Sequence, residues 1–364
     1  MKGLRKYISP FAPDQSGAAA VLCELGGLVI ILDAGGCAGN ICGFDEPRWF
    51  ESKSAIFSAG LRDMDAILGR DDRLVKKIAM ACEKIEGEFI AVIGTPVPAV
   101  IGTDYKALKR MIEQKTGMPA ITIDTDGMEL YDVGAGKAYE ALFRTFVGKE
   151  IVELGAQEEK NKRMESDFRC LGILGATPLD VEEKEEGAIR DFYKRQGFDQ
   201  IFVYGMGDGL EAVRASVTAE KNLVIAPAAL KTARYLKKQY GIPYETGYPL
   251  ETLPEWEKIV ARIPELEGKR VLIVHQQILA NALRDRIISR VNAAVTVGSW
   301  FSIDEKEKKE GDLVLKEEDQ WISLIADKQY DVIIADGLFE RALSGYEGEY
   351  WSLPHFAVSG KRKG

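Results

Sequence analysis

Leu28-Val29-Ile30-Ile31-Leu32-Asp33-Ala34-Gly35-Gly36-Cys37-Ala38-Gly39-Asn40-Ile41-Cys42-Gly43 is the stretch that sets the reading of this chain. Its first five residues are apolar and rich in β-branching, the pattern of a short strand buried on both faces. Glycines and two thiols follow at once. In open α/β sheets, ligands bind beyond the carboxyl ends of the strands. Glycines let the backbone bend sharply and approach a bulky group closely, and thiolates are the usual ligands of iron–sulfur clusters. Gly35, Gly36 and Gly39 are therefore candidate cradle positions, and Cys37 and Cys42 candidate metal ligands. A tight turn carrying two cysteines as small apolar side chains fits the same residues equally well. Two thiols fill only half of the four positions of a cubane cluster. A symmetric dimer, or a different partner subunit, would supply the rest.

Outward from this stretch, the same strand signature recurs. It appears at Phe89–Ile93, Ala120–Ile123, Cys170–Leu174, Ile201–Tyr204, Asn222–Ile225, Arg270–Val274 and Tyr330–Ile334, each time followed by helical periodicity. That alternation predicts an α/β chain of doubly wound parallel sheets. Two charged stretches, Gln157–Asp167 and Pro264–Lys269, divide it into units of domain size. The expected organisation is three Rossmann-like domains, 1–163, 164–265 and 266–364. A third charged run, Asp304–Asp312, reads as a surface loop of the last unit.

Composition bounds the function. With 46% hydrophobic and 29% charged residues, the 364-residue chain is globular rather than disordered. Its net charge of -9 disfavours a nucleic-acid partner. No apolar run approaches the ~20 residues that cross a bilayer, and no secretory leader is evident. Five cysteines, an odd number in a long chain, suit a reducing cytoplasm. Cys23, Cys82 and Cys170 fall within apolar helical or strand patterns and read as core residues.

Two further loops follow strand ends. Gly94–Asp104 opens a helix from Tyr105 to Lys115, with Thr95 and Gly102 as candidate anion or cluster contacts, although on composition alone a plain strand-to-helix loop fits better. Tyr204-Gly205-Met206-Gly207-Asp208-Gly209-Leu210 has G-x-G-x-G spacing rather than G-x-G-x-x-G, so Gly205 and Gly207 suit a packing turn or cavity wall better than a dinucleotide turn. His275 ends a strand, where it could donate a proton or ligate a metal. A satisfied structural histidine fits better. No P-loop, H-E-x-x-H or G-x-S-x-G is present.

Taken in order, these residues resemble the nitrogenase component 1 superfamily. The likeness rests on Gly35-Gly36-Cys37 after the first strand and on the charged segment Leu61–Leu74 ending in a glycine and a helix. It continues through Thr95-Pro96-Val97-Pro98-Ala99-Val100-Ile101-Gly102-Thr103-Asp104, the strand and glycine turn Met118–Met128, and Tyr240-Gly241-Ile242-Pro243-Tyr244. Thr95 stands where the family's third loop carries a cysteine, and no cysteine lies near Phe11, where many members have one. The resemblance therefore implies a four-iron cluster bridging two subunits through Cys37, with Cys42 nearby, rather than an eight-iron cluster. It implies a homodimer or a heterodimer with a second component 1-type subunit. It also implies an ATP-dependent iron–sulfur reductase as electron donor, and a substrate held where the sheets meet near Gly94–Asp104, Gly205–Gly209 and His275. The expected function is a reductase component passing low-potential electrons through the cluster, with His275 as its catalytic residue. The alternative is a scaffold that holds a metallocluster or tetrapyrrole during assembly.

Overall fold

The computed structural model describes residues 5–148, 168–327 and 329–358. Three parallel sheets organise them. The first contains β1 (Leu28–Ile31), β2 (Ala55–Ser58), β3 (Ile90–Ile93) and β4 (Ala120–Ile123) in the order β2-β1-β3-β4. The second contains β5 (Cys170–Leu174), β6 (Gln200–Val203), β7 (Lys221–Val224) and β8 (Tyr244–Thr246) in the order β6-β5-β7-β8. The third contains β9 (Arg270–Val274), β10 (Ala294–Ser299), β11 (Leu313–Val314), β12 (Val332–Ala335) and β13 (Glu349–Ser352) in the order β11-β10-β9-β12-β13. In each sheet the chain winds outward from the first strand on one side and then crosses to the other. The reversal leaves a crevice between β1 and β3, β5 and β7, and β9 and β12.

The central strands form because their residues are apolar on both faces: every residue of β1, β3, β5 and β12 is buried. Helix α1 (Asp14–Leu22) is buried along its whole length. It ends at Leu22, and Cys23, read from the sequence as lying within the helical pattern, caps it. The cysteine turn folds as helix α2 (Gly36–Asn40), continuing into a π-helical turn, Ile41–Asp45. Four helices complete the first sheet's layers up to β4: α3 (Asp63–Leu68), α4 (Asp71–Cys82), α5 (Pro96–Ile101) and α6 (Tyr105–Thr116). Helix α7 (Tyr131–Phe146) crosses α1 at two glycines. A Cβ on Gly17 would lie 1.8 Å from the Tyr131 carbonyl oxygen, and one on Gly134 would lie 1.8 Å from that of Asp14.

The expected boundary at Gln157–Asp167 lies outside the described residues. At Pro264–Lys269 a short 3-10 turn, Ile263–Leu266, leads into β9. The charged run Asp304–Asp312 departs from the expected surface loop at its end. Asp312 is buried and pairs with buried Arg284 at 2.5 Å, while it also accepts the Val297 N–H at 3.1 Å. A carboxylate enters the core here because a guanidinium and backbone donors receive it. Among the described residues, no helix is long and apolar enough to cross a membrane.

Candidate functional site

The crevice of the first sheet is built on Asp33, the second residue beyond β1. It is 1% exposed. Its Oδ2 accepts the Ala38 N–H at 2.8 Å and its Oδ1 accepts the Ser58 hydroxyl at 2.6 Å, tying α2 to the end of β2. Gly35 adopts φ +123°, a conformation that side chains rarely permit, and so turns the chain into α2. Cys37 then sits half-buried in the first turn of α2. The Thr95 side chain lies beside its thiol and lowers the thiol pKa against the effect of burial. Thr95 is itself fully buried at the end of β3 and donates to the Leu32 carbonyl at 2.8 Å. The two loops that sequence analysis singled out, 33–43 and 94–104, therefore meet at Cys37 and Thr95.

Cys42 is also half-buried. The π turn around it is held from three sides. Trp49 Nε1 donates to the Cys42 carbonyl at 2.6 Å, and buried Asp45 accepts from Ser16 Oγ at 2.6 Å and from Asn40 Nδ2 at 2.8 Å. Burial raises the pKa of the Cys37 thiol, and Asp33 adds to the rise. Cys42 is raised by burial, by Glu46 and by Asp33, so both thiols lie within electrostatic reach of one carboxylate. On the outer face, no atom lies within 4 Å of where a Cβ would stand on Gly36, Gly39 or Gly43. Two half-buried thiols on an open turn fit part of a cluster's ligand set. Among the described residues, no group of three or more His, Cys, Asp or Glu is placed to hold a metal ion. Of the other three cysteines, Cys23 is fully buried with its thiol pushed up to about 12 by burial and Cys170 lies buried in β5, whereas Cys82, at the end of α4, is half-buried like Cys37 and Cys42 rather than in the core as expected.

The remaining candidates are dispersed. Gly102 caps α5 at φ +71° and lines a cavity of about 230 Å³ with Leu32, Arg70, Ile101 and Asp104. Gly205 and Gly207, both at positive φ, lie at the seam between the first and second sheets. The Gly205 carbonyl accepts from Arg48 Nη1 at 3.1 Å, and the Gly207 N–H donates to Glu24. Gly207 lines a separate cavity of about 480 Å³ with Glu24, Arg48, Phe50 and Lys53. His275 lines neither. It is 2% exposed, stacks on His355 with ring centroids 4.2 Å apart, and places Nε2 3.2 Å from the Pro354 carbonyl oxygen.

The arrangement of three parallel sheets, with a thiol turn in the crevice of the first, can be set beside known proteins. A family profile described as nitrogenase component 1 type oxidoreductase matches residues 14–286. The chain belongs to this family. A nitrogenase iron-molybdenum cofactor biosynthesis protein NifE from Sinorhizobium fredii is 23% identical, with the match covering 97% of this chain and 77% of that protein. The NifE proteins of a Nostoc species and of Methanococcus maripaludis are each 26% identical. Those matches cover 76% and 64% of this chain but only 59% and 46% of the relatives, so the chain spans about half the length of these two. The solved structure of nitrogenase Cp1 at pH 6.5 superposes with a TM-score of 0.70, covering 100% of this chain and 89% of that one at 13% identity, a likeness of fold.

Within this component 1 chain, sequence reasoning missed the residues that hold the cysteine turn in place. Asp33 stood in the quoted stretch but was not singled out. Ser16, Asp45 and Trp49 gave no signal, because their partners are backbone groups or side chains distant in sequence.

Proposed function

We propose that this component 1 chain carries a metal–sulfur cluster of the [4Fe-4S] type, held by Cys37 and Cys42 against a second chain, and serves as a scaffold in metallocofactor assembly. The observation that carries the proposal is the pair of half-buried thiols on an open glycine turn in the first sheet's crevice. Neutral thiols there lose their protons on coordination, since a metal deprotonates a bound thiol outright. Asp33, Asp45 and Trp49 orient the turn, and the Thr95 hydroxyl sits beside Cys37 in place of a further ligand. The missing ligands come from a partner of component 1 type, either a second copy or a different subunit. The scaffold role is supported by the relatives, which are cofactor biosynthesis proteins. A second reading, favoured by the family's description as an oxidoreductase, is a catalytic component in the cytoplasm. It would receive electrons from an ATP-dependent iron–sulfur reductase, with the cluster as a one-electron centre.

Anaerobic reconstitution with iron and sulfide tests the proposal. A brown protein with visible charge-transfer absorption and one cluster per pair of chains is expected, and Cys37→Ser should abolish the colour. A colourless, iron-free product from the wild-type chain would sink it. Mixing the loaded protein with an ATP-dependent reductase separates the two roles. A scaffold keeps its cluster in one oxidation state, whereas a catalytic component cycles it once substrate is supplied.

A further inference from the structure

The third sheet's crevice, between β9 and β12, is filled with polar groups that belong to all three sheets. His275 follows β9, Asp336 follows β12 and His355 follows β13. The second sheet contributes Asp180, which lies beyond β5. The first contributes Tyr131 and Asp132 from the start of α7, beyond β4. Tyr131 is 1% exposed. Its hydroxyl donates to Asp180 Oδ1 at 2.6 Å and lies 3.0 Å from His355 Nε2, which is in turn 3.2 Å from Asp180 Oδ1. The His355 N–H donates to Asp336 Oδ2 at 2.6 Å, and Asp132 Oδ2 accepts the Ser302 N–H at 2.7 Å. One short network thus bonds three separately wound sheets.

His275 closes this network by stacking rather than by bonding, with its ring 22° from the plane of His355. Its Nε2 faces a carbonyl, which accepts a hydrogen bond and cannot donate one, so the neutral ring carries its proton there. Its Nδ1 is buried with no hydrogen-bond partner. A proton added at Nδ1 would put a charge in a closed interior against the face of a second imidazole. We propose that this junction is an acid-operated latch: the neutral His275 ring keeps the three sheets locked, and its protonation parts them at the β9–β12 crevice.

The groups around His275 bear on the sign. Burial and the neighbouring His355 hold its pKa down to about 3, against an ordinary 6.5, while Asp180 and Asp336 pull the other way without prevailing. Tyr131 and Asp132 stay protonated more readily than usual, chiefly through burial. The locked state is therefore fully favoured above pH 6.5, and it weakens as the pH falls from there toward 3.

The 364-residue chain has only two histidines, so its imidazole nitrogens can be followed by NMR without crowding. The latch requires His275 to remain neutral, with its proton on Nε2, at pH values where an ordinary histidine is half charged. Its protonation should coincide with faster amide exchange in 131–146, 270–278 and 352–358. His275→Phe keeps a flat ring on His355 but cannot take a proton, and should remove that acid-dependent rise in exchange. A His275 that titrates near 6.5 while the junction stays protected would overturn the proposal. So would an unchanged acid response in His275→Phe. If the variant does not fold, the wild-type spectra alone decide.

Discussion

Single residues in this chain are set against their usual chemistry by where they are buried. Glu185 is 2% exposed, and its carboxyl is pushed up to about 7, first by burial, although Tyr248 donates to it at 2.6 Å. A raised carboxyl pKa favours folding while the group is protonated. Its contribution is complete below the ordinary 4.5 and is lost as the pH rises through 7. At about 1.4 kcal/mol per decade, the loss approaches about 3 kcal/mol above pH 8. Glu185→Gln keeps an acceptor for Tyr248 without the charge. Urea unfolding should find the variant more stable than wild type at pH 8, with the gap closing toward pH 5; parallel pH profiles would refute this account. Gly134 makes a steric case of the same kind. A Cβ there would collide with the Asp14 carbonyl, which is backbone and cannot swing aside. Gly134→Ala should therefore cost about 3 kcal/mol, despite the better helix propensity of alanine, and a thermal melt would register the loss.

At the scale of elements, legibility followed burial. Strands β1, β3, β5, β9 and β12 were readable because apolar residues run without a break where both faces are covered. Of the edge strands, β4 and β6 were read from their apolar runs, but β2, β8, β11 and β13 were not, and the interior strand β10, whose first half is partly exposed, was missed as well. β8 is Tyr244-Glu245-Thr246 and β13 is Glu349-Tyr350-Trp351-Ser352, where one side meets solvent or ion pairs and the apolar run dissolves. The cysteine turn was legible as a glycine bend beyond a strand, but its helical and π-turn form was not. That form depends on Asp33 and Asp45 finding partners in β2 and α1. The charged run 304–312 shows the same limit, since its charges suggested solvent while Asp312 closes onto Arg284 in the core. Asp312→Ala leaves that guanidinium buried without its carboxylate, and the loss should be about 3–5 kcal/mol. Replacing the pair together, Arg284→Met with Asp312→Leu, should recover much of the loss. A double-mutant cycle measures this directly, and a single variant as stable as wild type would show the pair to be idle.

For the whole molecule, the question is whether three sheets make three folding units or one. Their apolar cores are shared. One cluster joins Val29 and Ile121 of the first sheet to Tyr204 and Val224 of the second region, and another joins Leu171 and Leu223 to Ile273 and Ile334 of the third. The amino-terminal segment adds a long-range tie. Glu318 accepts the backbone N–H groups of Lys6, Tyr7 and Ile8 at 2.6 to 2.7 Å, while Phe11 packs among Trp300, Phe301 and Phe339 of the third sheet's region. The first segment of the chain is thus fastened to the last sheet, and α1, which follows it, is buried beneath α7. Shared cores and a closed circuit of this kind couple local opening to global unfolding. Calorimetry should accordingly show a single cooperative transition. Glu318→Ala removes the acceptor for three backbone donors, and should lower the temperature of that whole transition rather than split off an early one. An early, separate transition confined to the third sheet, in either protein, would mean that the circuit is not energetically closed and that the sheets fold as independent bodies.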